Sequence, residues 1–357
     1  MRRPFPSPAG LLILALCCVA VATTVAAQPS HLTLSATGGK VIPTSGSPFS
    51  GNNPTMGFDA CLLWQHADTS VYWHRFWRNP YIGIRTGYAH VIDGIAGDRF
   101  VLAGTIQAPA TRHVEWTFST GLSFYTTPYN HSHNPRNIYI GSVVNCLIDL
   151  GFLYDLPLDG NTTLFLSAKL VHSSNGYMYK PNHGLNYMQG EVGVRLGPGR
   201  HPMRMPQADT AFVPYGKGFI MLAPSAVMSR YDPLDHISYH PAYTCQVGYV
   251  RHVHPCFAVG GALDLSYNFS HSLLAPGGQL PVYPGATLFV DNQWGPFVLR
   301  LGVAHYLGYY PLNWEQYYER VALYYRFGPS QDHYVGVGMK VHGDHVDFIE
   351  WTYAFEF

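Results

Sequence analysis

The sequence predicts an all-β protein that forms an antiparallel transmembrane β-barrel of about sixteen strands. Charged residues make up only 12% of the chain, whereas aromatic residues make up 15%. After residue 27, no apolar run reaches the length of about 18 residues that a membrane-spanning helix needs. Apolar and polar residues instead alternate in short segments separated by glycines and prolines. This pattern is typical of membrane-spanning strands.

The two ends of the chain fit a barrel in the outer membrane of a Gram-negative bacterium. Residues 1–27 begin with basic residues, continue with an apolar run and end in small residues, so we expect a secretory signal peptide. The last residues carry aromatic side chains at alternate positions, namely Tyr353, Phe355 and Phe357. This ending resembles the signal by which the barrel-insertion machinery recognises outer-membrane proteins. We therefore expect that machinery as a partner.

The alternating segments fall into two sets, each of which predicts eight strands. The first set is near 31–43, 56–65, 80–91, 98–108, 112–124, 139–155, 161–174 and 185–196. The second set is near 217–229, 241–252, 256–269, 284–292, 296–308, 317–328, 332–342 and 345–357. An even total is the rule for single-chain bacterial barrels.

The stretch between the two sets leaves two arrangements open. Residues 197–216 are rich in proline and glycine and are longer than a usual turn between strands. We prefer one barrel of about sixteen strands, with two tandem eight-stranded barrels as the alternative. The predicted organisation is a signal peptide, a first half at 28–198, a linker at 199–216 and a second half at 217–357.

Two short segments indicate a duplication. Residues 168–172 read AKLVH and residues 339–342 read MKVH, and each segment is followed by a strand. Cys61 and Cys245 also fall in the second strand of their respective halves. Amphipathic strands resemble one another in general, so the pattern fits duplication and chance about equally well.

The connections between the predicted strands differ in length. If the chain starts in the periplasm, the long polar segments 125–138 and 175–184 lie outside the cell, whereas the short connections 109–111 and 156–160 lie inside. Segment 66–79 is a long inside connection that this scheme does not explain.

Charge and cysteine content exclude several functional classes. The formal net charge is zero and no basic patch with interleaved aromatic residues is present, so we expect no nucleic-acid partner. Paired histidines occur at 131 and 133 and at 252 and 254, but without carboxylate or cysteine ligands at a suitable spacing, so we expect no metal. The four cysteines after residue 27 are expected to be free, buried thiols.

The candidate functional residues lie in segment 164–196, where two alternating strands follow each other. Alternate positions of the first strand are apolar and lead to His172 and Ser174, and Asn186 lies on the apolar face of the second strand. The opposite faces carry Lys169, Glu191 and Arg195, which we expect in the lumen. His172, Ser174 and Asn186 are therefore predicted to lie together at one end of the lipid-facing surface.

The motifs around these residues resemble a known family. H-x-S-N-G is followed by P-N-x-G-x-N, at positions His172, Ser174, Asn175, Gly176, Pro181, Asn182, Gly184 and Asn186. Over residues 30–198 the chain resembles the lipid A 3-O-deacylase (PagL-type) family, especially the longer acyloxyacyl hydrolases of Bacteroidetes. The resemblance implies an eight-stranded barrel whose site faces the outer leaflet and cleaves a fatty acyl ester of lipid A.

The resemblance also implies roles for individual residues. Ser174 would be the nucleophile, His172 its general base and Asn182 a side-chain donor to the oxyanion. Asn186 occupies the position where the family pattern has a glutamate.

The residue chemistry is compatible with these roles. Residues two apart on a strand share a face, so the His172 imidazole can reach the Ser174 hydroxyl and take its proton. Asn186 can fix the imidazole tautomer but brings no charge. Glu191 cannot replace it, because an odd separation from Asn186 directs that carboxylate to the lumen.

Two more residues are expected to support the site. Asn175 suits the turn that follows Ser174. Ser142, on the apolar face of the strand predicted at 139–155, is expected near the register partner of Ser174 and could add a hydrogen bond there.

The sequence thus predicts a carboxylic ester hydrolase of the outer membrane that removes a fatty acyl chain from the lipid A of lipopolysaccharide without a cofactor. The alternative is a structural or pore-forming barrel with a degenerate site. Two observations favour the alternative: Asn186 is not acidic, and segment 341–344 in the second half has no nucleophile.

Overall fold

The computed structural model describes residues 30–42, 53–68, 70–92, 94–176, 178–198, 212–228, 239–271, 281–308, 316–343 and 345–357. The expected signal peptide at 1–27 and most of the expected linker at 199–216 lie outside the described residues. Among the described residues, no helix is long and apolar enough to cross a membrane.

The strands form two successive groups of eight. The first group is β1 (His31–Val41), β2 (Pro54–Gln65), β3 (Tyr81–Val91), β4 (Asp98–Pro109), β5 (Val114–Tyr125), β6 (Val144–Pro157), β7 (Thr162–Ser174) and β8 (Leu185–Leu196). The second group is β9 (Tyr215–Met228), β10 (Tyr239–His254), β11 (Phe257–Asn268), β12 (Val282–Trp294), β13 (Phe297–Tyr306), β14 (Tyr317–Phe327), β15 (His333–His342) and β16 (His345–Glu356). A short helix, α1 (Tyr72–Phe76), lies between β2 and β3, and a 3₁₀ turn (Phe269–His271) follows β11.

Each group closes on itself as an antiparallel barrel. In the first barrel, β8 pairs with β1 from Leu32 opposite Leu196 to Val41 opposite Tyr187. In the second barrel, β16 pairs with β9 over a shorter stretch, from Tyr353 opposite Leu222 to Glu356 opposite Phe219.

The all-β class and the total of sixteen strands are confirmed. The preferred single barrel of about sixteen strands is corrected to the alternative, two tandem eight-stranded barrels. The physical reason is the long pairing of β8 with β1, which satisfies the backbone of both edge strands and leaves no edge for β9 to join.

The outer surface of the first barrel is apolar. Alternate residues of β7 and β8 point outward, and Leu170 and Val192 are 57% and 63% exposed. Exposed apolar side chains that cover whole strands are unfavourable in water and are typical of a surface that faces lipid.

The interiors of both barrels are filled with charged side chains. In the first barrel the Lys169 ammonium lies 2.8 Å from the Glu191 carboxylate, and Arg195 lies 3.0 Å from Glu115. In the second barrel Arg300 forms an ion pair with Asp291 at 2.7 Å. The expected placement of Lys169, Glu191 and Arg195 in the lumen is confirmed. Eight-stranded barrels have just enough interior space for such side chains.

The long connection between β2 and β3, which the strand scheme left unexplained, contacts the second barrel. The Tyr72 hydroxyl and His254 Nε2 are 2.9 Å apart. Trp77 Nε1 donates to the backbone oxygen of Gln293 at 3.4 Å, and the Trp77 ring lies 6.2 Å from the Trp294 ring. Segment 66–79 thus packs aromatic side chains against the second barrel.

Candidate active site

His172, Ser174 and Asn186 form a continuous hydrogen-bonded chain on the outer face of the first barrel. His172 and Ser174 are two residues apart on β7, and Asn186 lies directly opposite His172 on β8. His172 Nε2 is 3.0 Å from Ser174 Oγ, and His172 Nδ1 is 2.8 Å from Asn186 Oδ1. Strand periodicity and the β7–β8 register thus bring these three residues together as predicted.

The contact with Asn186 determines which ring nitrogen can act as a base. An amide oxygen only accepts hydrogen bonds, so Nδ1 of His172 carries the proton and donates to Asn186. Nε2 is then unprotonated and accepts from the Ser174 hydroxyl. This arrangement allows the imidazole to remove the serine proton.

The turn that returns to β8 passes directly over this pair, and Gly184 makes that close approach possible. Gly184 has a φ of +70°, and a Cβ there would lie 2.7 Å from His172 Cε1 and 3.3 Å from Ser174 Cβ. Any side chain would be strained at this φ and would displace the imidazole. The sequence motif contains Gly184 but does not indicate this role, which depends on the approach of the turn to His172.

Asn175 and Asn182 are linked to each other across the same turn. The backbone N–H of Asn175 donates to Asn182 Oδ1 at 3.1 Å, and Asn182 is buried. This bond fixes which end of the Asn182 amide carries the donors. Among the described residues, none accepts a hydrogen bond from Asn182 Nδ2. That amide nitrogen is therefore available to a substrate oxygen.

Ser142 forms its hydrogen bond in the site with Asn175 and not with Ser174. Asn175 Nδ2 donates to Ser142 Oγ at 3.1 Å and to the backbone oxygen of Tyr179 at 2.8 Å. Ser142 in turn donates to the backbone oxygen of Val144 at 2.8 Å.

The expected position of Ser142 near the register partner of Ser174 is therefore wrong. Cys146 lies opposite Ser174, because β6 continues to Pro157, which pairs with Thr163, so the hairpin turn lies later in the chain than the predicted 156–160. The backbone before β6 bonds to the turn that leads into β8. The carbonyls of Ile138 and Tyr139 accept hydrogen bonds from the N–H groups of His183 and Gly184, at 3.2 and 3.1 Å.

Two family models match the chain, one within each barrel. Residues 58–195 match the model described as Lipid A 3-O-deacylase (PagL), a range that includes His172, Ser174, Asn182 and Asn186. Residues 215–357 match the model described as Acyloxyacyl hydrolase, C-terminal domain. No curated protein matches the chain.

Solved structures that align with the chain include mutants of a Rhodopseudomonas blastica porin. A triple mutant shares 12% identity over 91% of this chain and 99% of that chain, with a TM-score of 0.20. A second mutant gives the same identity and coverage with a TM-score of 0.21. At these TM-scores the alignments carry no information on this fold or its function. The two matched models together cover most of the chain, and the protein belongs to the lipid A 3-O-deacylase (PagL) and acyloxyacyl hydrolase family.

Proposed function

We propose that the protein is an outer-membrane esterase that removes a fatty acyl chain from lipid A, with Ser174 as nucleophile and His172 as general base. The observation that carries this proposal is the hydrogen-bonded chain from Asn186 through His172 to Ser174 on an apolar outer surface. The family match supports lipid A as the substrate. We assign the chemistry to the first barrel, within 28–198.

The first half of the reaction transfers the acyl chain to the protein. Ser174 Oγ attacks the ester carbonyl carbon while His172 Nε2 takes the hydroxyl proton. The carbonyl oxygen becomes an oxyanion, for which the free Nδ2 donor of Asn182 is the candidate partner. The C–O bond of the ester then breaks, and the His172 imidazolium returns its proton to the departing sugar oxygen.

The second half releases the fatty acid. A water molecule gives its proton to His172 Nε2 and attacks the acyl-serine carbonyl, and Ser174 Oγ leaves with that proton. Asn186 Oδ1 holds the protonated ring by a hydrogen bond to Nδ1 in both halves. Because the amide is uncharged, it stabilises the imidazolium less than a carboxylate would.

The position of the site suits an ester at the edge of a lipid leaflet. Below His172 and Ser174, Leu170 and Met188 point outward and are 57% and 54% exposed. An acyl chain could lie along this apolar surface while its ester reaches the Ser174 hydroxyl. The sugar headgroup would then meet the polar turn at 175–184. The substrate would not have to leave the membrane.

The test is to incubate the purified, detergent-solubilised protein with lipid A and to weigh the product by mass spectrometry. We expect the loss of one acyl chain by the wild type and no detectable turnover by Ser174→Ala. Ser173→Ala is the matched control, because Ser173 points into the lumen and bonds to Ser123 at 3.2 Å. Equal turnover by Ser174→Ala and the wild type would contradict the proposal.

A further inference from the structure

The second barrel touches the turn that follows Ser174. Gly176 has a φ of +61°, and a Cβ at that position would collide with Cδ1 and Cγ1 of Ile349 on β16. The backbone of Gly176 in the first barrel therefore packs directly against the Ile349 side chain of the second barrel. Ile349 is only 4% exposed, although Tyr353 and Phe355 on the same outward face of β16 are well exposed.

The neighbouring strands β6 and β8 are exposed to a similar degree beside the site. Ile148 and Cys146 lie opposite His172 and Ser174, and both are half-buried. Leu150, the next outward residue of β6, is 55% exposed. Met188 on the side of β8 is similarly exposed. The surface next to the site is therefore open on both sides of β7, whereas Ser174 itself is only 3% exposed.

The turn that Ile349 contacts also holds the candidate oxyanion donor. Gly176 directly follows Asn175, whose backbone N–H fixes Asn182 Oδ1 at 3.1 Å. A shift of the backbone at Gly176 would move Asn175 and, through this bond, the Asn182 amide. Transition-state stabilisation by a hydrogen-bond donor depends on its distance from the developing oxyanion.

We propose that the second barrel is part of the deacylase site, with Ile349 as a positioning residue that holds the turn at 174–176 so that Asn182 faces the oxyanion. This inference rests on the proposed function of Ser174 and His172. Ile349 acts through Gly176 and Asn175 and does not itself touch the reacting atoms.

The experiment compares Ile349→Ala, Gly176→Ala and the double variant in the full-length protein. Two readouts are used, the kcat and KM for lipid A and the rate at which a lipid-free fluorophosphonate labels Ser174. For Ile349→Ala we expect kcat and the labelling rate to fall on the order of tenfold to a hundredfold while KM changes little, because a small misplacement near the chemistry is costly. Leu288→Ala on β12 is the matched control, since Leu288 points outward and is 70% exposed.

The double variant separates positioning from a general loss of structure. Gly176→Ala should be impaired both by strain at its φ and by collision with Ile349. Removing the Ile349 side chain relieves the collision, so the double variant should be faster than Gly176→Ala alone. Folding is checked by gel electrophoresis in detergent without heating, because folded barrels resist unfolding under these conditions. Ile349→Val replaces Ile349→Ala if the latter does not fold.

The outcomes distinguish this inference from the proposed function. If the wild type cleaves lipid A and labels at Ser174, but the Ile349 variants match it in kcat and labelling rate, this inference is overturned and the proposed function stands. A double variant no faster than Gly176→Ala also overturns it. A wild type that neither cleaves lipid A nor reacts with the fluorophosphonate contradicts the proposed function itself.

Discussion

The two barrels carry a histidine at the end of corresponding strands, but the two side chains lie on opposite faces. His172 on β7 points outward and is 3.0 Å from Ser174 Oγ. His342 on β15 is buried in the second barrel, and its Nε2 is 2.9 Å from the Tyr306 hydroxyl. Only the first histidine is partly exposed on the outer surface.

One residue of spacing explains this difference. Both strands carry an inward lysine, Lys169 and Lys340. The histidine follows three positions later in the first strand and two positions later in the second. Because successive side chains of a strand alternate between faces, the odd spacing turns His172 to the outer surface and the even spacing turns His342 to the lumen. The two segments have similar sequences, but their histidines lie on opposite faces of the strand.

The largest difference in activity is expected between variants of the two histidines. His172→Ala should lower kcat on lipid A on the order of a thousandfold to a millionfold, because Ser174 loses its base. His342→Ala should leave kcat within about twofold of wild type, because its side chain is buried inside the second barrel, where it bonds to Tyr306. Lipid A turnover followed by mass spectrometry checks both. If the two variants lost activity equally, the assignment of chemistry to the outer face would be wrong.

The second prediction compares two glycines in the turns after these strands. Gly184→Ala should lower kcat on the order of a hundredfold, because the added Cβ would lie 2.7 Å from His172 Cε1 and push the ring away from Ser174. Gly343 has a similar φ of +58° in the β15–β16 turn and serves as the control. Gly343→Ala carries the same backbone strain but should retain activity. Steady-state kinetics of the folded variants decides between them.

The third prediction concerns the uncharged partner of the imidazole. Asn186→Glu should raise kcat on the order of tenfold, because a carboxylate stabilises the imidazolium better than an amide does. Asn186→Ala should be slower than wild type, since His172 Nδ1 loses its acceptor. The three proteins are compared on one ester substrate. Equal rates would remove Asn186 from the mechanism and leave a dyad of His172 and Ser174.

The smallest expected effect concerns ion conductance, which should stay near the baseline. Both barrels have eight strands, and ion pairs such as Lys169 with Glu191 and Arg300 with Asp291 occupy their lumens. Protein reconstituted in a planar bilayer should therefore show no conductance steps of porin size. Such steps, combined with intact lipid A after incubation, would favour the alternative of a pore-forming barrel.

Much of the fold and of the candidate site follows from local alternation. The faces of Lys169, His172, Ser174 and Glu191 could be predicted because a strand inverts the side-chain direction at every residue. The grouping of His172 with Asn186 was predicted from their positions on the apolar faces of consecutive strands, and the structure places the two residues directly opposite each other. Interactions between neighbouring strands are thus well encoded in short stretches of sequence.

The features that were missed depend on segments far apart in the chain. Closure of β8 onto β1 cannot be distinguished from continuation into β9 by alternation alone, because both partners offer the same pattern. The start of β6 at Val144 depends on bonds from the backbone of Ile138 and Tyr139 to the later turn. The contact of Gly176 with Ile349 has no local signature at all.

The outward position of Ser174 also determines how the rate of such an enzyme depends on its surroundings. A substrate that reaches the hydroxyl along the apolar surface travels by lateral diffusion in the leaflet, so its effective concentration is its mole fraction among the lipids and not its amount per volume of buffer. Added detergent or inert phospholipid would slow the reaction by surface dilution, even at a constant total amount of lipid A. Rates measured for the variants are therefore comparable only at a fixed ratio of substrate to detergent.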